Sequence, residues 1–198
     1  FPLIGLCFLL ILIFTAYFFR DPDKVVPTNE NLILSPADGL ITYIGPSDPP
    51  SEVEIEYIEF NKISIFLSIF DIHVNRIPAS GKILSCDYVK GKFLNATLDK
   101  SSHDNEKNIK TMKLKNDNKI IFTQVAGLIA RRIISNVKEN QDVLIGDRYG
   151  IIKFGSRVDV YIPKNLKIYV SEGQKVIGGQ SILSDLNNSL DIGDTIVK

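Results

Sequence analysis

Residues 1–19, FPLIGLCFLLILIFTAYFF, carry no charged side chain. An uncharged run of this length satisfies its backbone in apolar surroundings only as a helix. At 1.5 Å per residue it reaches about 28 Å, close to the roughly 30 Å hydrocarbon core of a bilayer. A cleaved signal peptide has a shorter apolar core and a small-residue cleavage site, whereas this run ends in Tyr17-Phe18-Phe19-Arg20. Aromatic rings beside a cation are typical of a membrane–water boundary. The expectation is a membrane helix, with a buried core helix as the alternative. The run opens on Phe1 and not on Met, so residues upstream are left open and neither spans nor orientation are counted.

After the run the grammar changes. Asp21-Pro22-Asp23 and Pro27 stop a helix. Short β-prone segments then follow, punctuated by Gly, Pro, Asn and Asp: 32–34, 40–44, 53–59, 63–69, 81–88, 119–125, 150–154, 157–162, 166–170 and 181–183. Alternation is clearest in Val53-Glu54-Ile55-Glu56-Tyr57-Ile58 and in Arg157-Val158-Asp159-Val160-Tyr161-Ile162. Residues 124–134 read equally as strand then helix or as helix throughout. Residues 100–119, with six lysines against three acids, read as a solvated loop, with contact to lipid headgroups as the alternative. The fold class expected is mainly β (a β-rich α+β domain over 20–198) preceded by the N-terminal membrane helix at 1–19.

Composition excludes some functions. Lys plus Arg and Asp plus Glu are 23 each, so the basic excess of a nucleic-acid binder is missing. Cys7 and Cys86 make no disulfide framework, and with only His73 and His103 beside them no metal spacing exists.

Three segments, Ser35-Pro36-Ala37-Asp38-Gly39, Ile77-Pro78-Ala79-Ser80-Gly81 and Ser171-Glu172-Gly173-Gln174-Lys175-Val176-Ile177-Gly178-Gly179, each place Gly in a turn that feeds a strand. The last resembles a barrel-sandwich turn of lipoyl or biotinyl carrier domains. No Lys stands at the modified hairpin tip, which argues against a swinging-arm carrier.

The candidate for chemistry is Gly155-Ser156, between two strand-like runs. A Ser hydroxyl can attack the carbonyl just before it and turn the amide into an ester, and Gly leaves that carbonyl open to approach. Elimination of the ester leaves dehydroalanine, which hydrolyses to a pyruvoyl group and ammonia. Such a ketone takes an amine as a Schiff base and draws electrons from it.

Five motifs occur in one order: Phe19-Arg20-Asp21-Pro22, Ser35-Pro36-Ala37-Asp38-Gly39, Phe70-Asp71-Ile72-His73-Val74-Asn75-Arg76-Ile77-Pro78, Gly127-Leu128-Ile129-Ala130-Arg131-Arg132 and Phe154-Gly155-Ser156-Arg157-Val158-Asp159. The set resembles the short-chain phosphatidylserine decarboxylase proenzymes from about residue 19 to residue 183. That resemblance implies self-cleavage between Gly155 and Ser156 into a β chain, 1–155, and an α chain, 156–198, that stay associated. It implies a pyruvoyl cofactor made from Ser156, with no metal, and a phosphatidylserine substrate decarboxylated to phosphatidylethanolamine. Asp38 matches the acid used with a His during maturation, and His73 is the expected proton donor to the substrate carbon. Longer family members carry a second His three residues after the first; here that place holds Arg76. A guanidinium is a poor base, so Arg76, like Arg131 and Arg132, is expected to bind phosphate or carboxylate. The resemblance further implies an inner-membrane protein with its catalytic domain on the cytoplasmic side, and leaves a homo-oligomer open. Two other readings stand beside it: a membrane-anchored β-barrel adaptor without catalysis, and a decarboxylase of an ether-linked serine phospholipid.

Overall fold

The computed structural model describes residues 2–55, 59–93, 104–127, 132–153 and 156–198. Its elements are helix α1 (Pro2–Phe18) and strands β1 (Val25–Pro27), β2 (Leu32–Leu34), β3 (Gly39–Pro46), β4 (Phe60–Leu67), β5 (Val74–Arg76), β6 (Gly81–Val89), β7 (Lys107–Leu114), β8 (Lys119–Ala126), β9 (Ile133–Ser135), β10 (Asp142–Val143), β11 (Arg148–Ile152), β12 (Ser156–Pro163), β13 (Lys175–Val176), β14 (Ile182–Asp185) and β15 (Thr195–Val197). The domain is mainly β, as its punctuated short runs require.

Eight strands form one antiparallel sheet in the order β10-β6-β7-β8-β12-β4-β3-β13. A three-stranded sheet, β5-β11-β9, and two pairs, β1-β15 and β14-β2, complete the architecture. Among the described residues the large sheet is open, with β10 and β13 at its two edges, and closes into no barrel. The expected turn before β13 is present. Gly173 holds φ +80 and donates its N–H to Ile41 O at 2.9 Å, a conformation that glycine adopts without strain.

Strand β12 lies between β8 and β4 in the middle of the sheet. Val158, Val160 and Ile162 point into the main core with Ile63, Ile65, Phe122 and Tyr149. Tyr161 points the other way, into a second cluster with Phe60, Ile109 and Ile121. The alternation of Arg157-Val158-Asp159 therefore does not mark a wet face. Arg157 Nε and Nη2 meet Asp159 Oδ1 and Oδ2 at 2.9 and 3.1 Å, both residues being at most 2 % exposed. A planar two-pronged pair of this kind lets two charges lie beneath a covering layer.

The loop expected at 100–119 is corrected over its second half. Residues 107–114 form β7, paired with β6 and β8 along its whole length. Its apolar residues divide between two buried faces, Ile109 on one and Met112 and Leu114 on the other, which hides the period-2 signal. Its lysines are accommodated in pairs, Lys107 Nζ lying 2.9 Å from Glu52 Oε1. Residues 53–55 and 166–170 are not strands. Val53 and Ile55 cover the second cluster, and Ile168 makes one isolated bridge to Ser184. Of 124–134, Gln124 to Ala126 close β8 and Ile133 opens β9, while 128–131 lie outside the described residues.

Helix α1 holds 17 residues, all apolar or uncharged, with large side chains exposed on every side and only Phe18 buried. Among the described residues no helix is long and apolar enough to cross a membrane. At its foot Arg20 donates to the carbonyls of Tyr17 and Phe70 at 2.8 and 2.7 Å, and its guanidinium lies 3.8 Å from the Tyr17 ring centroid.

Candidate active site

Ser156 is the first residue of β12, opposite Leu67 on one side and Ala126 on the other. It shares its face with Val158 and Val160 and is fully buried. Its Oγ has no hydrogen-bond partner among the described residues. A buried hydroxyl without a partner is destabilising, and native structures keep such groups mainly where they are used. Gly155, the other half of the expected scissile bond, lies outside the described residues.

His73 enters from the opposing layer, just before β5. Its carbonyl accepts from Ile152 N at 3.4 Å, four residues ahead of Ser156, so the register brings β5 to the segment that leads into β12. The imidazole Nδ1 lies 2.9 Å from Asp71 O. A carbonyl only accepts, so Nδ1 carries the proton and Nε2 is left with a lone pair. That Nε2 is buried and has no partner among the described residues. The Phe18 ring lies over the imidazole, centroids 4.2 Å apart. Burial lowers the His73 pKa, with the Arg20 charge acting in the same direction and the Asp71 carbonyl and carboxylate opposing it. At neutral pH the ring is an uncharged base.

Asp38 is placed differently. Its carboxylate accepts from Lys24 Nζ at 3.0 and 3.1 Å and from the Gly178 N–H at 2.7 Å, and it makes no hydrogen bond to His73 among the described residues. Glycine eases that approach, because a Cβ at 178 would lie a tight 3.2 Å from Asp38 Oδ1 and from Ala37 Cα. The structure thus joins Asp38 to Lys24, a partner that nothing in the local sequence indicates.

Arg76 is held by protein groups. It is 2 % exposed, donates to Gly146 O at 3.0 Å and Pro22 O at 3.2 Å, and pairs with Asp21 at 3.3 Å. Arg148 also pairs with Asp21, and with Asp23 at 3.3 Å. Together they clamp the Arg20-Asp21-Pro22-Asp23 link beneath α1. Arg132 is exposed, and Arg131 lies outside the described residues. Among the described residues no group of three His, Cys, Asp or Glu could hold a metal ion. A surface cavity of about 420 Å³ lined by Ser80, Lys82, Lys113 and Asp142 lies at the β6–β10 edge, away from these groups.

Two relevant features escape the sequence reading. Phe18 looks like one more apolar residue of the helix, yet it is the one that covers His73. Asn75, Gln124 and Lys110 are separated by long stretches of chain, and only the packing of β5 over β7 and β8 joins them.

A buried serine at a strand start, a buried neutral imidazole and an apolar helix rising beside them agree with what comparison finds. The family model described as phosphatidylserine decarboxylase matches residues 11–184. The phosphatidylserine decarboxylase proenzyme of Rickettsia typhi (strain ATCC VR-144 / Wilmington) is 52% identical over 173 residues, covering 87% of this chain and 75% of the relative. That of Rickettsia prowazekii (strain Madrid E) gives the same figures. That of Rickettsia akari (strain Hartford) is 52% identical over 169 residues, 85% of this chain and 73% of the relative.

Proposed function

The chain belongs to the phosphatidylserine decarboxylase family, and from that premise we propose that it cuts itself at Gly155-Ser156 and then decarboxylates phosphatidylserine to phosphatidylethanolamine. The observation that carries this reading is the pair of fully buried, unpartnered atoms, Ser156 Oγ and His73 Nε2, in facing layers of one core.

His73 Nε2 takes the Ser156 hydroxyl proton as Oγ attacks the Gly155 carbonyl, and returns it to the nitrogen when the C–N bond breaks, leaving an ester. Removal of the Ser156 Cα proton then expels the Gly155 carboxylate. Water replaces the nitrogen as ammonia, and the new terminus is a pyruvoyl group. The site suits that group, since the ketone oxygen would take the place of the Ser156 nitrogen, the methyl would be the former Cβ, and the buried hydroxyl position would be vacated. Its carbonyl would bind the amine of the serine headgroup and accept the electron pair released with carbon dioxide. His73, protonated at Nε2, then supplies the proton to the headgroup carbon, and the Phe18 ring keeps water from the imidazole. Asp38, held by Lys24 and Gly178, fixes the turn between β2 and β3 during maturation.

Cleavage need not release the α chain. Every strand beyond residue 155 pairs with one before it: β12 with β4 and β8, β13 with β3, β14 with β2, and β15 with β1. Each fully buried Val or Ile of β12 contributes about 1.5–3 kcal/mol toward retention. Helix α1, seated at the bilayer with Tyr17, Phe19 and Arg20 at the boundary, would bring the site to a substrate whose acyl chains rarely leave the membrane. On this reading the protein acts at the inner membrane from its cytoplasmic face.

Substituting Ser156→Ala tests the proposal. The expected product is one intact chain with no decarboxylase activity on phosphatidylserine vesicles. An intact Ser156→Ala chain that still releases carbon dioxide would overturn it.

A further inference from the structure

Three polar side chains in the main core form a hydrogen-bonded chain that the chemistry above leaves unused. Lys110 of β7, Gln124 of β8 and Asn75 of β5 are each fully buried. Lys110 Nζ donates to Gln124 Oε1 at 3.1 Å, and Gln124 Nε2 donates to Asn75 Oδ1 at 2.8 Å. The direction of this chain runs from the amine inward. With the Lys110 ammonium donating to the Gln124 oxygen, the Gln124 NH₂ faces Asn75, and Asn75 answers with its own oxygen. Both hydrogens of Asn75 Nδ2 are then unspent, and that nitrogen is buried with no partner among the described residues. Buried donors in this condition are seldom retained without a use.

The place of this open donor suggests its use. Gln124 stands opposite Val158 of β12, and Ser156 is two residues back on the same face. Gln124 and Ser156 are thus diagonal neighbours about 7–8 Å apart across the ladder. Asn75 rests on Gln124 from the layer above, two residues after His73 and on the same side of its strand. Gly150, the ladder partner of Asn75, leaves room for the Gln124 amide, since a Cβ there would fall 2.2 Å from Ile134 O and 3.1 Å from Gln124 Nε2.

We propose that Asn75 donates the hydrogen bond that holds the oxyanion formed when Ser156 Oγ attacks the Gly155 carbonyl, and that Gln124 and Lys110 are positioning residues that turn its amide to this task. The inference rests on the self-cleavage reading above. In the step concerned the Oγ–C bond forms, the hydroxyl proton passes to His73 Nε2, and the carbonyl electron pair moves onto oxygen, where the Asn75 N–H meets it. Collapse of the oxyanion breaks the Gly155–Ser156 C–N bond, and the proton returns to the departing nitrogen. A donor set in place before charge develops lowers the barrier to its formation. The same donor set on a substrate carboxylate would steady a charge that decarboxylation has to lose, so maturation is the step it fits. Burial lowers the Lys110 pKa to about 7, so the relay can be held by an amine that is largely uncharged in mildly alkaline conditions.

The test follows conversion of the full-length chain, made by cell-free translation, into two pieces on denaturing gels. Asn75→Asp keeps the shape and the acceptor for Gln124 but has no N–H. It is expected to fold and to cut on the order of 100-fold more slowly. Hydroxylamine, which cleaves an accumulated ester, should not restore the rate, because the defect precedes the ester. Gln124→Met, uncharged and similar in volume, should slow cutting about tenfold, again without response to hydroxylamine, and it carries the test if Asn75→Asp is not recovered folded. If the wild-type chain cuts and the folded variants cut equally fast, or hydroxylamine restores them, the role of Asn75 is overturned while the self-cleavage reading stands. If the wild-type chain does not cut at all, the self-cleavage reading itself fails.

Discussion

On the outer face of the large sheet the buried charges Arg157, Asp159 and Lys107 lie against opposite charges, whereas on the inner face the atoms His73 Nε2, Asn75 Nδ2 and Ser156 Oγ are buried without partners. The charges belong to β7 and β12, the unpartnered atoms to the start of β12 and to β5 with the residue before it, and both sets are hidden from water. The difference is in what each set still has to bind. A satisfied pair resists removal of either member and takes no part in chemistry. An unsatisfied group destabilises the fold slightly and can act on a reacting atom. The comparison predicts a separation: outer-face substitutions damage stability, and inner-face substitutions damage chemistry.

The largest expected effect is at Ser156. Replacing Ser156 by Ala should abolish cleavage and activity while leaving the melting temperature unchanged or slightly higher, since only an unpartnered hydroxyl is lost. A marked fall in melting temperature would show that the hydroxyl is structural and collapse the distinction between the faces. At the outer face, Arg157→Leu takes the guanidinium away from the buried Asp159 carboxylate and should cost about 3–5 kcal/mol in denaturant unfolding. The fraction that folds should still cut itself at the normal rate. Normal stability with lost cleavage would place Arg157 among the reacting groups instead.

Lys110 sharpens the comparison, because it is a cation-forming group on the open face. Its folded pKa, brought by burial to about 7 from the ordinary 10.5, lies below that of the unfolded chain. Between those values the unfolded chain holds a proton that the folded one does not, so stability should rise as pH is raised from 7 toward 10, by up to about 1.4 kcal/mol per pH unit. Below pH 7 both states are protonated and this dependence vanishes. Lys110→Met should flatten the slope, and an unchanged slope in that variant would assign it to another group. The smallest effect is expected at Phe18. Phe18→Ala opens the imidazole to water, so the His73 pKa should climb back toward its ordinary value and the acid limb of the rate profile should move to higher pH. An unmoved limb would mean that Phe18 does not shield His73.

Much of this could be read before the fold was known, and what could not has physical causes. The alternation of Arg157-Val158-Asp159-Val160 marks a strand correctly, but period 2 reports only that side chains alternate, not that one face is wet. The six lysines of 100–119 suggest solvent, because a sequence does not show that Glu52 waits for Lys107 or Gln124 for Lys110. Ser156, His73 and Asp38 stand out through their motifs. The protein partners of Arg76 are hidden by the same limit, since Asp21, Pro22 and Gly146 become its neighbours only through the tertiary fold. The uncharged run at 1–19 is legible as a helix, and Phe18 as the residue that ends it inside the core is not.

The most direct test of the central claim is the mass of the purified, detergent-solubilised protein under denaturing conditions. Two chains that part between Gly155 and Ser156 are expected, the smaller being about 17 Da lighter than a serine-started peptide because a carbonyl has replaced its amine. A single chain of full mass, or a small chain that begins with an intact serine, would contradict the account.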